Sequence, residues 1–198
     1  LSDFPQLYSI NDMFWGCKKL KKVEFGMFKF ENMIDISSSF SGCLNLDDVN
    51  FGFGRCPFPK VQKMEGLFKG CQLLKQVDLS AFSFENVVNM SDLFSQCGNL
   101  TKVDLPKEAK IPNVLSMGSM FEGCAELTTV NWQFIEAEKI ENVTNLFAGC
   151  EKLESIDLSK FNCQKCKEIG GMFKGCASIK EVDLSAFSFE NVVNMSDL

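Results

Sequence analysis

Cysteine is the residue type with the most chemical potential in this sequence, which has ten cysteines and no histidine. The missing histidine removes the commonest general base, the Ser-His and Cys-His nucleophile pairs and His-containing zinc sites. A single C-x-x-C pair occurs, Cys163 and Cys166. A zinc site needs a second such pair or histidines. We therefore predict no catalytic residue, no metal site and no cofactor, and we expect the protein not to be an enzyme.

Seven of the cysteines recur in one register, each three residues after a Phe. The steps between successive Phe residues of this Phe-x-x-Cys pattern are 26, 28, 26, 27, 26 and 26. Equivalent residues of stacked repeats keep parallel Cβ directions, which disfavours disulfides between them. The sequence therefore predicts a structural ladder of buried free thiols. Its members are Cys17, Cys43, Cys71, Cys97, Cys124, Cys150 and Cys176.

The other three cysteines lie outside that ladder. Cys166 stands seven residues before a repeat Phe, a position that Val87 occupies in another repeat. Core packing is therefore the expected role of the C-x-x-C pair. A bond between Cys56 and Cys163 is conceivable, but nothing in the pattern supports it. Because cysteines that pack as small hydrophobes occur in any compartment, these ten do not fix the redox compartment.

An acidic column lies seven residues after each ladder cysteine. Its acidic members are Glu24, Asp78, Asp104, Asp157 and Asp183, and Asn50 and Asn131 complete it. One interpretation is a surface for a basic partner or for divalent cations. The other is structural, because Asp and Asn at a strand end accept hydrogen bonds from nearby backbone amides. Recurrence in nearly every repeat favours the structural role, and both interpretations stay open.

Four N-glycosylation sequons also occur, three of them at one repeat position, so most of them reflect repeat copying. Their acceptors are Asn89, Asn99, Asn142 and Asn194. Glycans at these positions would require a eukaryotic secretory route.

The elements that position these residues follow from the apolar spacing. Apolar residues seven, four and one before each Phe predict a short helix. The later Val-x-Leu, as in Val77-Asp78-Leu79, has period two and predicts a short strand. A single unit is too small to bury a core, so neighbouring units must stack. We predict an α/β fold, a right-handed solenoid with a parallel β-sheet on one side and short helices or turns on the other.

The domain organisation follows from the same repeat. We expect residues 1–198 to form a single solenoid of about seven repeats of 26–28 residues. Residues 77–93 are identical to residues 182–198, at an offset of 105 residues, which indicates a duplication of four repeats. Leu1 to Phe4 align with Leu184 to Phe187, so we expect the chain to be an internal slice of a longer array.

The unit Leu74-x-x-Val77-x-Leu79 fits the core of a leucine-rich repeat. Residues 77–94 together with the Cys-x-x-Leu step resemble the BspA-type leucine-rich repeat, in its variant of about 26 residues that contains cysteine. The resemblance covers essentially the whole chain. It implies a secreted or cell-surface protein that adheres to host or matrix proteins or binds other proteins, and it carries no catalytic motif.

Composition narrows the function further. A net charge of −6 argues against nucleic-acid binding, and no apolar run is long enough to span a bilayer. We therefore expect a non-enzymatic protein at the cell surface or outside the cell that binds a protein or extracellular-matrix ligand through its solenoid surface. The alternative is a structural protein whose repeats associate head to tail into a surface fibre or coat.

Overall fold

Successive repeats of the sequence fold into coils that lie on one another. The computed structural model describes residues 4, 6–26, 28, 30–51, 58–106, 109–130, 134–135, 137–159, 161 and 163–198. One column of parallel backbone pairs runs through the coils and advances by one repeat at each step. It joins Ser9, Asp35, Lys63, Asn89, Ser116, Asn142, Glu168 and Asn194 in that order. The predicted repeat solenoid is confirmed.

Most of the strands lie where the Val-x-Leu pattern predicts them. They are β1 (Lys22–Glu24), β2 (Asp48–Asn50), β3 (Gln76–Asp78), β4 (Lys102–Asp104), β5 (Ala109–Lys110) and β6 (Phe134–Ile135). They pair in parallel as β1 with β2, β3 with β4 and β5 with β6. The valines of β3 and β4 face each other in register and are buried. Among the described residues, the Val-x-Leu strands therefore form two separate two-stranded sheets rather than one continuous sheet, and β5 with β6 forms a third sheet outside that pattern.

The helical part of the predicted α/β fold is wrong, because none of the described residues is helical. In the segment around Phe40, Ser38 and Gly42 have positive φ angles of 53° and 72°. A right-handed helix does not admit such residues. Alternate residues instead donate their N–H groups to the next coil, as Phe40 does to the Leu67 carbonyl at 3.0 Å.

The same backbone pattern recurs two residues before and two residues after each repeat Phe. Glycine fills the second of these positions in every repeat except the one with Gln96. At Gly149 the φ angle is +73°, and an added Cβ would lie 3.5 Å from the Cα of Gly123 in the neighbouring coil. That distance is an ordinary contact, so the glycine column is explained by the positive φ, which glycine alone adopts without steric cost.

The repeat phenylalanines form a single interior row. Adjacent rings are stacked, with centroid separations of 5.4 to 5.8 Å and interplanar angles of at most 14°. Phe40, Phe68, Phe94, Phe121 and Phe147 are fully buried. This row forms the centre of the core. Residues whose side chains point away from it form the surface, where a functional site can lie.

Candidate binding surfaces and cysteine sites

The acidic column divides into two groups. In three coils the sequence is Asp-Leu-Ser, and the aspartate Oδ1 accepts the backbone N–H of the Ser two residues later. The distances are 2.8 Å for Asp78 to Ser80, 2.9 Å for Asp157 to Ser159 and 2.8 Å for Asp183 to Ser185. Hydrogen bonds from Ser185, first from its hydroxyl and then from its backbone, lower the pKa of Asp183. These carboxylates hold the turn that follows the Val-x-Leu segment.

The remaining two acidic residues are paired with lysines. Lys102 lies 2.8 Å from Asp104, and Lys22 lies 2.8 Å from Glu24 and 3.0 Å from Asp48 of the next coil. Hydrogen bonds to Glu24 and then to Asp48 raise the pKa of Lys22. All these groups are exposed, and exposed ion pairs contribute little to stability. Asn131, which completes the column in the sequence, lies outside the described residues.

An apolar stripe that the sequence reasoning missed runs along another face. It consists of Tyr8, Ile34, Val88 and Leu115, which are 63%, 39%, 39% and 43% exposed. The polar Gln62 interrupts the stripe between Ile34 and Val88, and along the whole row each residue donates its N–H to the carbonyl of the preceding one at 2.9 Å. The sequence does contain these apolar residues, each six positions before a repeat Phe. They stand next to the apolar position seven before the Phe, which the repeat pattern assigns to the core.

The same column changes character in the next two coils. There it carries Glu141 and Lys167, whose side chains pair at 2.7 Å and are about half exposed. The backbone hydrogen bonds continue unchanged through both residues, so the apolar character is a property of the side chains and not of the coil geometry. One backbone column thus presents an apolar surface in one part of the chain and a charged surface in another.

The cysteine ladder lies against the Phe row. From Cys43 to Cys176, each ladder Sγ donates to the backbone carbonyl of the Phe in the preceding coil, for example Cys97 to Phe68 at 3.0 Å and Cys124 to Phe94 at 3.1 Å. Burial raises the pKa of Cys97 to about 12. Six ladder cysteines are buried and free, but Cys17 is exposed. The expectation that all seven are buried is therefore wrong at Cys17, since among the described residues a coil covers it on only one side.

Cys163 and Cys166 form a disulfide, with their Cα atoms 5.1 Å apart. Both residues are fully buried, so they do pack in the core. The predicted core packing is therefore confirmed, and the bond between the two cysteines is an addition that the sequence analysis did not predict. The backbone explains the bond, because the Cys166 N–H bonds to the Cys163 carbonyl at 3.2 Å and the turn brings the two side chains together. The conceivable partner Cys56 lies outside the described residues.

The sequon asparagines differ in their surroundings. Asn89, Asn142 and Asn194 each accept the backbone N–H two residues later through Oδ1, at 2.9, 2.9 and 3.1 Å. The Asn89 amide also donates to Glu65 at 2.8 Å. Asn99 is exposed on a turn. Three of the four sequons thus serve the turn geometry, and their glycosylation stays a prediction.

A shallow cavity of about 210 Å³ opens beside β2 and β3, and its lining includes Asp48, Asn50, Asp78, Phe51 and Phe82. Within the described part of the chain, no group of three or more His, Cys, Asp or Glu residues is placed to hold a metal ion. No helix among those same residues is long and apolar enough to cross a membrane.

A family model described as "Mycoplasma protein of unknown function, DUF285" matches residues 45–136 and, in a second overlapping match, residues 115–198. The chain belongs to this DUF285 family. Two overlapping matches within one chain are what a repeated unit produces. The comparison with curated proteins finds no match for this DUF285 chain.

Solved structures give the fold of the DUF285 chain. A leucine-rich repeat protein of T. pallidum is 22% identical, with 88% of this chain and 72% of that chain covered, and has a TM-score of 0.62. A leucine-rich cell surface protein of Faecalibacterium prausnitzii is 17% identical, with 89% and 77% covered, and has a TM-score of 0.33. The first match shows that the DUF285 coils adopt a leucine-rich repeat fold, as the BspA-type resemblance predicts.

Proposed function

We propose that this chain is a non-enzymatic repeat protein of the cell surface or the extracellular space, which binds a protein or extracellular-matrix ligand. The observation that carries the proposal is the apolar stripe, in which Tyr8, Ile34, Val88 and Leu115 stay exposed along one row. Exposed apolar rows on a polar surface are typical of protein interaction sites. Solenoid folds use such extended surfaces to bind partners.

The stripe suits a partner rather than the stability of the array itself. Its backbone is fixed by hydrogen bonds at 2.9 Å, so its side chains lie on a rigid frame. A rigid frame lowers the entropy cost of binding, because little ordering is needed when the partner arrives. The paired Glu141 and Lys167 take the same position in later coils without disturbing the frame, so stability does not require an apolar residue there.

Binding to immobilised matrix proteins and to the ectodomains of host surface proteins tests the proposal. The double variant Val88→Glu and Leu115→Glu places charges in the stripe and should weaken binding at least tenfold. The matched control exchanges Glu141→Lys and Lys167→Glu, which preserves the ion pair in the same column. Equal affinity of the two variants and the unchanged chain would rule out the stripe as the binding surface.

The acidic column is the second part of the proposal, as a source of charge complementarity toward a basic partner. Asp104 is suited to the test because its carboxylate pairs with Lys102, whereas Asp78, Asp157 and Asp183 hold turns. Asp104→Lys should weaken binding and flatten its dependence on salt. An unchanged affinity and salt dependence would leave the column with its structural role alone.

Localisation needs its own measurement. Antibodies raised against residues 1–198 should label intact cells, and a protease added outside should destroy the labelled protein. Labelling that requires permeabilised cells would contradict a surface location.

Head-to-tail self-association is a second candidate function. The interface between consecutive coils is nearly uniform, with Phe centroids 5.4 to 5.8 Å apart along the whole row, so the two faces of a coil are complementary. Electron microscopy of the concentrated protein should show ordered linear assemblies. Isolated particles at every concentration would exclude this candidate.

A further inference from the structure

We propose that the Cys163–Cys166 disulfide is a redox-responsive staple, which holds the turn at residues 163–166 in oxidising surroundings and loosens it, with the adjoining coils, when it is reduced. The proposal does not rest on the binding function, because the disulfide is buried in the core and the proposed binding surfaces are exposed.

The turn that carries the disulfide is common to the coils. The Cys166 N–H bonds to the Cys163 carbonyl at 3.2 Å, as the Val87 N–H bonds to the Phe84 carbonyl at 3.0 Å. The 5.1 Å between the Cα atoms of the two cysteines lies within the range that disulfides occupy. The same turn in several coils therefore has a backbone geometry that allows a disulfide between its first and fourth residues. The sequence has cysteine at both positions in one coil.

The bond lies where the side chains of the core are small. The position of Cys163 is filled by a large buried ring in other coils, such as Phe30, Phe58 and Phe84. The preceding coil has Ala137 there, which is also buried. A cysteine side chain is much smaller than a ring, so this turn has less apolar packing than the coils with phenylalanine, whichever redox state the cysteines have. The covalent bond thus holds the turn where aromatic packing holds it elsewhere.

The neighbouring thiols leave this bond undisturbed. Thiol–disulfide exchange requires a thiolate that reaches a disulfide sulfur. Burial raises the pKa of Cys150 and Cys176, the ladder cysteines on either side along the sequence, so both stay protonated near neutral pH. Each is also held by a hydrogen bond to a Phe carbonyl. The staple is therefore opened by a thiol from outside the chain.

A dithiol provides the required chemistry. One of its thiolates attacks a sulfur of the disulfide, the S–S bond breaks, and a mixed disulfide forms. Its second thiolate then displaces the protein sulfur and the reagent becomes a disulfide. Two electrons pass to the protein, and Cys163 and Cys166 each take up one proton. Oxidising surroundings favour the bonded form, as they do for disulfides generally.

The first test counts thiols and measures stability. Protein purified in air, alkylated in denaturant and weighed should show two cysteines fewer modified than protein treated with dithiothreitol. Reduction should lower the unfolding midpoint by about 4–8 °C, given the closed loop of four residues and the size of the chain. If the native protein, in which both cysteines are buried, keeps the bond in the presence of the reagent, the disulfide does not respond to redox conditions and the proposal is overturned.

A matched variant separates the staple from other effects of the reagent. Cys163→Ala with Cys166→Ile installs the Ala137 and Ile140 pair of the preceding coil, and its unfolding midpoint should not respond to dithiothreitol. In the unchanged chain, reduction should speed hydrogen exchange at the Cys166 amide and leave the Val87 amide unaffected. Three results would each overturn the proposal. They are protein purified in air in which every cysteine is a free thiol, an unfolding midpoint that is unchanged after verified reduction, and an equal change in the exchange rates of the two amides on reduction.

Discussion

The two sides of each coil differ in how continuous the backbone pairing between coils is. On the turn side, around the Phe row, one column of parallel pairs continues without a break from Ser9 to Asn194. On the strand side, the described residues pair only as β1 with β2 and β3 with β4, and β5 and β6 form a separate short sheet. The side predicted to carry the sheet is interrupted, whereas the side predicted to be helical holds the continuous backbone ladder.

The difference shows which part of the repeat sets the coil spacing. On the turn side, residues with positive φ direct alternate N–H groups to the next coil, and stacked rings and thiol hydrogen bonds follow the same step. On the strand side, each strand has three residues or fewer. We infer that the turn side carries most of the stability and that the strand side is free to vary.

The largest expected effect comes from alkaline pH, which acts on the thiol column of the turn side. Cys97 has an ordinary pKa of 9.0 and a folded pKa of about 12. Its contribution is therefore fully present below pH 9 and is lost as the pH rises toward 12. The loss is on the order of 1 kcal/mol per pH unit for Cys97. Burial also raises the pKa values of Cys71, Cys124 and Cys150, so these thiols add to the loss.

Denaturant unfolding at pH 8, 9 and 10 checks this expectation. The variant Cys97→Ala is the control, because it removes one titrating thiol. The slope of the unfolding free energy against pH should fall by the contribution of that single thiol. A slope that is identical in the variant would show that Cys97 is not protected from ionisation.

The next largest effect concerns the Phe row itself. Phe94 is fully buried and stacks on Phe68 and Phe121 at 5.7 and 5.5 Å. Phe94→Ala should cost about 3–5 kcal/mol of unfolding free energy, through lost burial and the remaining cavity. On the strand side, Val77→Ala should cost only about 1.5 kcal/mol, for the two carbons it removes. Urea unfolding of both variants measures the ratio, and equal losses would contradict the proposed dominance of the turn side.

A smaller effect is expected at the glycine column. Gly149→Ala forces a side chain into a φ of +73° and should cost about 1–2 kcal/mol. Gly98→Ala is the matched control, since no atom lies within 4 Å of its added Cβ and its φ is not positive. That variant should be neutral or stabilise by less than about 1 kcal/mol. Thermal melts compare the two, and an unchanged Gly149→Ala would remove the argument from backbone conformation.

Much of this architecture could be predicted from the sequence, because the repeat places Phe14 to Phe173 in one row and Val77 opposite Val103. The helix prediction failed since apolar residues at steps of three and four fit either a helix or a chain of tight turns. Gly42 and its equivalents, together with Asp92 or Asn145 before the Phe, carried the missing information. These residue types favour the left-handed conformation that a helix cannot hold.

The candidate sites were harder to predict than the fold. Ile34 and Val88 lie next in sequence to the buried Met33 and Val87. The apolar pattern alone did not show which residue of each pair points into the core and which points to solvent. The Cys163–Cys166 bond depends on a turn whose geometry became visible only in three dimensions. Both follow from local backbone direction, which apolar periodicity does not report.

The smallest effect tests the acidic column on the strand side. Asp78→Ala removes the acceptor that holds the Ser80 N–H at 2.8 Å and should cost about 0.5–1 kcal/mol. Asp78→Asn keeps the side-chain oxygen, so it should retain most of the stability while removing the charge. Denaturant midpoints distinguish the two variants. If Asp78→Asn loses as much as Asp78→Ala, an oxygen at this position is not enough, and the negative charge of the acceptor is what stabilises the turn.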